Sequence, residues 1–262
     1  MRLPRVLYVP AALGLAFLVL PIVGLVSRVQ WSTLGDDLFS HASMTALRLS
    51  LVTAAVATVV CIVLGLPMAV AMARATRRTA SLLRTLVLVP LVLPPMVGGL
   101  ALLSLLGRSG LIGEPVFTWS GHSLPYTTAA VVVAQSFVAL PFFVITVEGA
   151  LRTSGVSHEQ IAATLGAGRW RVLSQITVPL VVPGLVAGTV LAFARALGEF
   201  GATALFAGNA PGVTRTMPLA IYTAFNGVGV TADSAVALSL LLLVSAAIVV
   251  CGLRSWREDA VR

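Results

Sequence analysis

Lysine is absent from all 262 residues, and every one of the 17 basic side chains is arginine. A nucleotide loop of the Gly-x-x-x-x-Gly-Lys-Ser/Thr type needs that lysine to reach the phosphates, so the chain has no ATP site of this kind. Charge is scarce altogether: 10% of residues are charged against 58% hydrophobic, and mean hydropathy is +1.01. A soluble protein of this length has to cover its surface with polar groups, and too few are present. Period-2 alternation is missing as well, which argues against outer-membrane strands. The two cysteines, Cys61 and Cys251, lie far apart and read as small apolar fillers. His41, His122 and His158 stand singly, without metal-ligand spacing. No His-Glu-x-x-His, paired aspartates or Cys/His cluster occurs, so an intramembrane enzyme is disfavoured and no metal or cofactor is expected.

Long uncharged runs fill the space instead. A run of about 20 apolar residues spans the roughly 30 Å hydrocarbon core as a helix. Six such spans are expected: Val6–Ser27, Thr45–Ala73, Leu83–Leu106, Thr128–Leu151, Ile176–Phe206 and Ala232–Leu253. The first exceeds a signal-peptide core in length and reads as a retained helix. The fold class is therefore an all-α integral membrane protein, with one transmembrane domain over 1–262. Pro67, Pro90, Pro94, Pro95 and Pro141 fall inside the spans. Proline removes backbone hydrogen bonds and kinks helices. Such kinks either shape a bundle or line a path.

Net charge is +8, which on a soluble protein would suggest nucleic acid. Here the arginines flank apolar runs and report topology. One set of segments holds twelve (Arg2, Arg5, Arg74, Arg77, Arg78, Arg84, Arg152, Arg169, Arg171, Arg254, Arg257, Arg262) and the other holds three (Arg28, Arg108, Arg215). The positive-inside rule then puts both termini and the segment 152–175 in the cytoplasm.

That segment contains SHEQIAATLGAGRWRVLSQITVP, Ser157–Pro179. Ile161, Leu165 and the alanines recur at helical spacing from Val156 on, and Glu159 sits in the first turn, where negative charge suits the dipole. Gly166 and Gly168 stop the helix; a second starts at Arg169-Trp170-Arg171. A helical hairpin at the cytoplasmic face follows, resting either on lipid headgroups or on a protein partner. The segment resembles the cytoplasmic loop of ABC-importer permeases. It keeps Ala162 as the second of the usual alanine pair, then Gly166, then nine residues before Ile176-Thr177-Val178-Pro179, with Val178 in place of the usual Leu. Gln160 and Ile161 replace the usual Glu and first Ala, with Glu159 one place early. The resemblance implies that Glu159, Gln160, Ala162, Ala163, Gly166, Ala167, Arg169 and Trp170 form a coupling loop, docked on a separate cytoplasmic ATPase subunit.

A second stretch, ARALGEFGATALFAGNAPGVTRTMPLAIYTAF (Ala194–Phe225), is similar to permeases for molybdate, tungstate and sulfate, most of all the molybdate branch. Together the similarities cover about Thr45–Leu253. They imply import of an oxyanion, an extracytoplasmic binding protein and a permease homodimer in the cell membrane, with no role for nucleic acid. Counting straight from Pro179 at about 1.5 Å per residue places Arg195 near ~24 Å and Glu199 near ~30 Å from the inner boundary. Spaced i,i+4, the two can pair, either locking helices together or standing beside the pathway gate. Gly198, Gly201 and Ala202 form a thin strip suited to close helix packing, such as a two-fold axis provides. Thr214, Thr216 and the amides of Gly208–Gly212 are candidate neutral donors to an oxyanion at the outer mouth, a place equally suited to docking a binding protein. Pro218–Phe225 is too short to span. The rival reading, a secondary anion transporter, requires ionisable groups in several spans and inverted repeats; only Arg195/Glu199, Glu148 and Asp233 qualify, and no repeat is found.

Overall fold

The computed structural model describes residues 5–154, 157–227 and 232–259. Among these, the chain is helical and contains no strand. Arg2, Arg262 and Val156 lie outside them, as do the side chains of Arg5, Asp233, Arg254 and Arg257.

In chain order the helices are α1 (Tyr8–Ser27), α2 (Leu34–Phe39), α3 (His41–Arg74), α4 (Arg77–Val92), α5 (Pro95–Leu106), α6 (Gly113–Ser120) and α7 (Thr128–Ser154), followed by α8 (Ser157–Thr164), α9 (Arg169–Val172), α10 (Val178–Leu180), α11 (Val182–Leu197), α12 (Gly201–Phe206), α13 (Met217–Phe225) and α14 (Ala232–Asp259). Three of them, α1, α3 and α7, are each long and apolar enough to cross a bilayer. Two bent pairs qualify when each is taken as one span, and α14 carries a shorter apolar stretch, Ser234–Val249.

The sequence dictates where the breaks fall. Ser40 caps α3 by accepting from Ser43 N at 3.2 Å, and Thr76 caps α4 by accepting from Thr79 N at 3.4 Å. Expected as one span, Leu83–Leu106 is instead α4 and α5, turned by 108° at Leu93-Pro94. Pro94 forces Leu93 out of the helical region (φ −66°, ψ 135°), and Pro95 suits the first turn of α5. Ile176–Phe206 is likewise discontinuous. A π turn over Leu173–Thr177 leads into α10, the axis turns by 68° between α10 and α11, and α11 ends at Leu197. The straight count from Pro179 to Glu199 therefore overstates the depth of both charged residues.

The core is built from small residues that let backbones approach, as helix packing in lipid requires. Ala54, Ala57 and Cys61 of α3 meet Phe143 and Val147 of α7 and Ala192 and Ala196 of α11. Gly65 leaves the space that Phe143 fills: a Cβ there would lie 2.6 Å from Phe143 Cδ1. A second cluster joins α5, α7 and α12 through Leu102, Val138, Ala202 and Phe206. A third joins α3, α13 and α14 through Ala46, Met217 and Leu238.

Helices α3 and α7 run in the same direction. Both begin beside the loop 208–216: Thr128 Oγ1 donates to Val213 O at 2.8 Å, and a Cβ on Gly212 would lie 4.0 Å from Thr45 Cγ2. Both finish together, where Arg152 Nη2 donates to Met72 O at 3.2 Å. The bundle thus has a basic end, with Arg74, Arg84, Arg152 and the α8–α9 hairpin, and a loop end, with residues 208–216.

Candidate functional site

Two places gather the residues singled out above. At the basic end, α8 and α9 form the expected hairpin. Gly166 closes α8 with φ +87°, its N–H bonding Ala163 O and Ala167 N bonding Ala162 O, both at 3.0 Å. This pair of bonds is a Schellman motif, which places its C′ residue in the left-handed region that glycine occupies without penalty. Ile161, Leu165 and Trp170 stand 59%, 83% and 78% exposed, forming an uncovered apolar cap. Gln160, Ala163, Gly166 and Arg169 are exposed beside them, while Ala162 and Ala167 are half-buried.

Glu159 turns the other way. Its Oε1 accepts from Arg74 Nη2 at 2.8 Å and from Thr177 Oγ1 at 2.6 Å. One carboxylate therefore ties the hairpin to the end of α3 and to the π turn that leads into α11. Neighbouring α4 and α7 are joined in the same way: Glu148, 2% exposed, is bracketed by Arg84 Nη2 at 2.5 Å and Arg152 Nε at 2.6 Å. These ties lie 85 and 64 residues apart in sequence, and no local pattern announces them. Only the i,i+4 spacing of Glu148 and Arg152 is legible beforehand.

The second place is the break after α11. Arg195 Nη2 lies 2.8 Å from Glu199 Oε2, and Glu199 Oε1 accepts from Ala202 N at 2.8 Å. Glu199, 1% exposed, thus neutralises Arg195 and caps the first turn of α12. Gly198 sits exposed in the break. Gly201 and Ala202 do pack closely, but against α5 of the same chain: Cβ atoms on Gly201 and Gly99 would lie 2.9 Å from Pro95 Cβ and 2.8 Å from Ala202 O. Close packing of the small-residue strip is thus met within the chain at Gly201 and Ala202, while Gly198 stays outside that contact.

Beyond α12 the loop folds back over the ends of α3 and α7. Thr214 and Thr216 are both fully buried, contrary to the expectation of donors facing the outer mouth. Thr214 Oγ1 instead accepts from Ala210 N at 2.9 Å, closing a turn, and the Gly208 amide is occupied by Thr203 O at 3.1 Å. Thr216 Oγ1 has no hydrogen-bond partner among the described residues. Pro218–Phe225 forms α13 with Met217, a short helix packed on α14 and α3. Arg215, counted above only for topology, lines a cavity here together with His41 and Thr45.

Comparison with known proteins places this geometry. The molybdenum transport system permease protein ModB of Mycobacterium tuberculosis is 53% identical over 251 residues, covering 95% of this chain and 93% of that protein. The Escherichia coli K12 protein of the same name is 45% identical over 178 residues, 68% of this chain and 78% of its own length. Among solved structures, a bacterial alginate ABC transporter in complex with an alginate-bound periplasmic protein superposes with TM-score 0.72 at 15% identity, covering 98% of this chain and 93% of that chain. The MetNI methionine ABC transporter does so with TM-score 0.65 at 17% identity, over 83% and 95%. The model of the binding-protein-dependent transport system inner membrane component matches residues 62–253, and the chain belongs to that family of ABC-transporter permeases.

Proposed function

We propose that the chain is the permease subunit of an ATP-driven importer and forms the path for an oxyanion, molybdate. The observation that carries this is the 53% identity over 95% of the chain to a molybdenum permease. Residues 1–262 act as one transmembrane domain of six spans, with bent α4–α5 and α10–α11 each serving as one. The basic end faces the cytoplasm, as its arginines favour.

The missing P-loop lysine leaves ATP hydrolysis to a separate subunit. The hairpin's apolar cap of Ile161, Leu165 and Trp170, flanked by Arg169, is the surface that subunit takes. When the ATPase closes, Glu159 passes the hairpin's displacement to α3 through Arg74 and to α11 through Thr177. A π turn at that junction supplies a place to yield, as such turns do at functional sites. The far end of α11 then moves against α12 at Gly198–Phe200, where Arg195 and Glu199 hold the break. Bent, packed helices switch between discrete arrangements, which suits alternation between inward-open and outward-open states. Two copies of the permease enclose the path, and an extracytoplasmic binding protein delivers the ion at the loop end. Sulfate and tungstate share the tetrahedral dianion chemistry and are the competing cargo.

Co-expression with an ATPase and a binding protein of a molybdenum transporter tests this. A stable complex whose ATP-dependent molybdate uptake is outcompeted poorly by sulfate is the expected result. Uptake by the purified chain alone would overturn it.

A further inference from the structure

Arg215 holds a positive charge that no carboxylate neutralises among the described residues. Among the described residues the ion-paired arginines are Arg74, Arg84, Arg152 and Arg195. Arg215 is fixed by neutral acceptors instead: Nε donates to Asn209 Oδ1 at 2.9 Å and Nη2 to Asn209 O at 3.4 Å. Asn209 is itself held, donating Nδ2 to Thr223 Oγ1 at 2.9 Å, while the Thr223 hydroxyl donates to Leu219 O at 2.7 Å. Arg215 as a whole residue is half-buried, its position is set from α13, and Nη1 has no protein partner among the described residues.

That charge stands on the wall of a cavity of about 440 Å³. His41, Ala42, Thr45 and Ala46 of α3 form one side, and Pro211, Gly212 and Arg215 of the loop form the other. A smaller cavity of about 200 Å³ shares Ala42 and Arg215 with it. His41 and Thr45 lie one turn apart on α3, and the exposed Arg48 continues the same stripe. Arg48 likewise has no carboxylate partner among the described residues. Among the described side chains, the carboxylates of Asp36 and Asp37 sit on α2. Asp37 lines the smaller cavity, where its Oδ1 accepts from Ser234 Oγ at 2.6 Å; Asp36 is exposed to solvent.

From this arrangement we infer that the cavity between the start of α3 and the loop 209–215 is a reception site for a tetrahedral oxyanion, bound by Arg215 with His41 and Thr45 as polar neighbours. The inference rests on the oxyanion reading given above and adds the residues that first take the ion. Tying a loop requires only neutral hydrogen bonds. A full, preorganised charge on a cavity wall raises the local concentration of an anion as well. One guanidinium among neutral groups also gives weak binding, which a transport path needs so that the ion can leave. The buried Thr214 and Thr216 take no part.

The local potential can be read directly in the assembled importer. Cys251→Ser removes the exposed native thiol, and Cys61 is buried. T45C then places a thiol in the cavity for membrane-impermeant methanethiosulfonate reagents of either charge. The anionic reagent is expected to react several-fold faster than the cationic one. Millimolar molybdate or sulfate should slow both, and R215Q should bring the rate ratio close to one. R215K should keep the ratio while raising the KM for uptake. Asn209→Ala separates charge from loop structure: it should loosen the loop yet leave the anionic preference. A ratio unmoved by R215Q, or an absence of oxyanion protection, would overturn the site. A complex that retains the charge ratio but imports no molybdate would instead overturn the function reading and leave the site standing.

Discussion

Glu199 does two jobs that a single substitution can separate. Its Oε1 caps α12 through Ala202 N and its Oε2 faces Arg195, whose side chain is 26% exposed against 1% for Glu199. Glu199→Ala removes both contacts and leaves a cation beside the core. Breaking such a pair is expected to cost about 2–4 kcal/mol, the upper values being moderated by the partly exposed guanidinium. Denaturant titration in detergent would read it, and Glu199→Gln, which keeps an acceptor for Ala202 N, should lose less than half as much. Gly99 offers a purely steric contrast. A Cβ there would lie 2.8 Å from the backbone oxygen of Ala202, which cannot rotate away. Gly99→Val should therefore destabilise the α5–α12 contact by about 1–3 kcal/mol, and a melting temperature unchanged from the parent would contradict that packing.

Helix α8 makes its statement through its end. Gly166 has φ +87°, and a Cβ on it would meet nothing within 4 Å, so any cost of substitution is conformational. Gly166→Val should strain the turn by roughly 1–2 kcal/mol without a clash and re-aim α9. Transport-coupled ATP hydrolysis is expected to fall while the permease still inserts; intact coupling in an assembled complex would count against the hairpin as the docking element. Trp170→Ala tests the cap from the partner's side. A large exposed aromatic at a protein contact is worth about 2 kcal/mol, so association with the ATPase should weaken by more than tenfold in a pull-down titration. Were Trp170 a headgroup anchor, the same change would leave that association intact and alter membrane partition of the hairpin.

For the molecule as a whole, the uncovered surface is the informative quantity. None of the residues of α1 is buried, and beyond the turn Arg5–Leu7 that precedes it, the helix it mainly meets is α14. Such a helix faces lipid or another copy. Native mass measurement of the importer should give two permease chains per complex, and a single copy with full uptake would refute the dimer proposed above.

The apolar runs, the prolines at 94 and 95 and the Gly-Ala-Gly stop at 166–168 act through the few residues around them, so fold class, hairpin and an interruption at Pro94-Pro95 were legible along the chain, whereas the breaks on either side of α11 were not. Hydrocarbon demands internally satisfied backbone wherever the run is long enough, whatever the neighbours are. The angle of a break is another matter. Leu93-Pro94 ends a helix by local sterics, yet the 108° turn is fixed by what α4 and α5 pack against. Charge partners were legible only at i,i+4, as with Arg195 and Glu199. The link from Arg74 to Glu159 and the grip of Asn209 on Arg215 depend on helices brought side by side. Burial of Thr214 and Thr216 depends on the same packing, because a hydroxyl in sequence carries no mark of which side of a loop it will face. Local sterics and transfer into lipid are properties of a segment, whereas a partner across the bundle exists only once the segments have met.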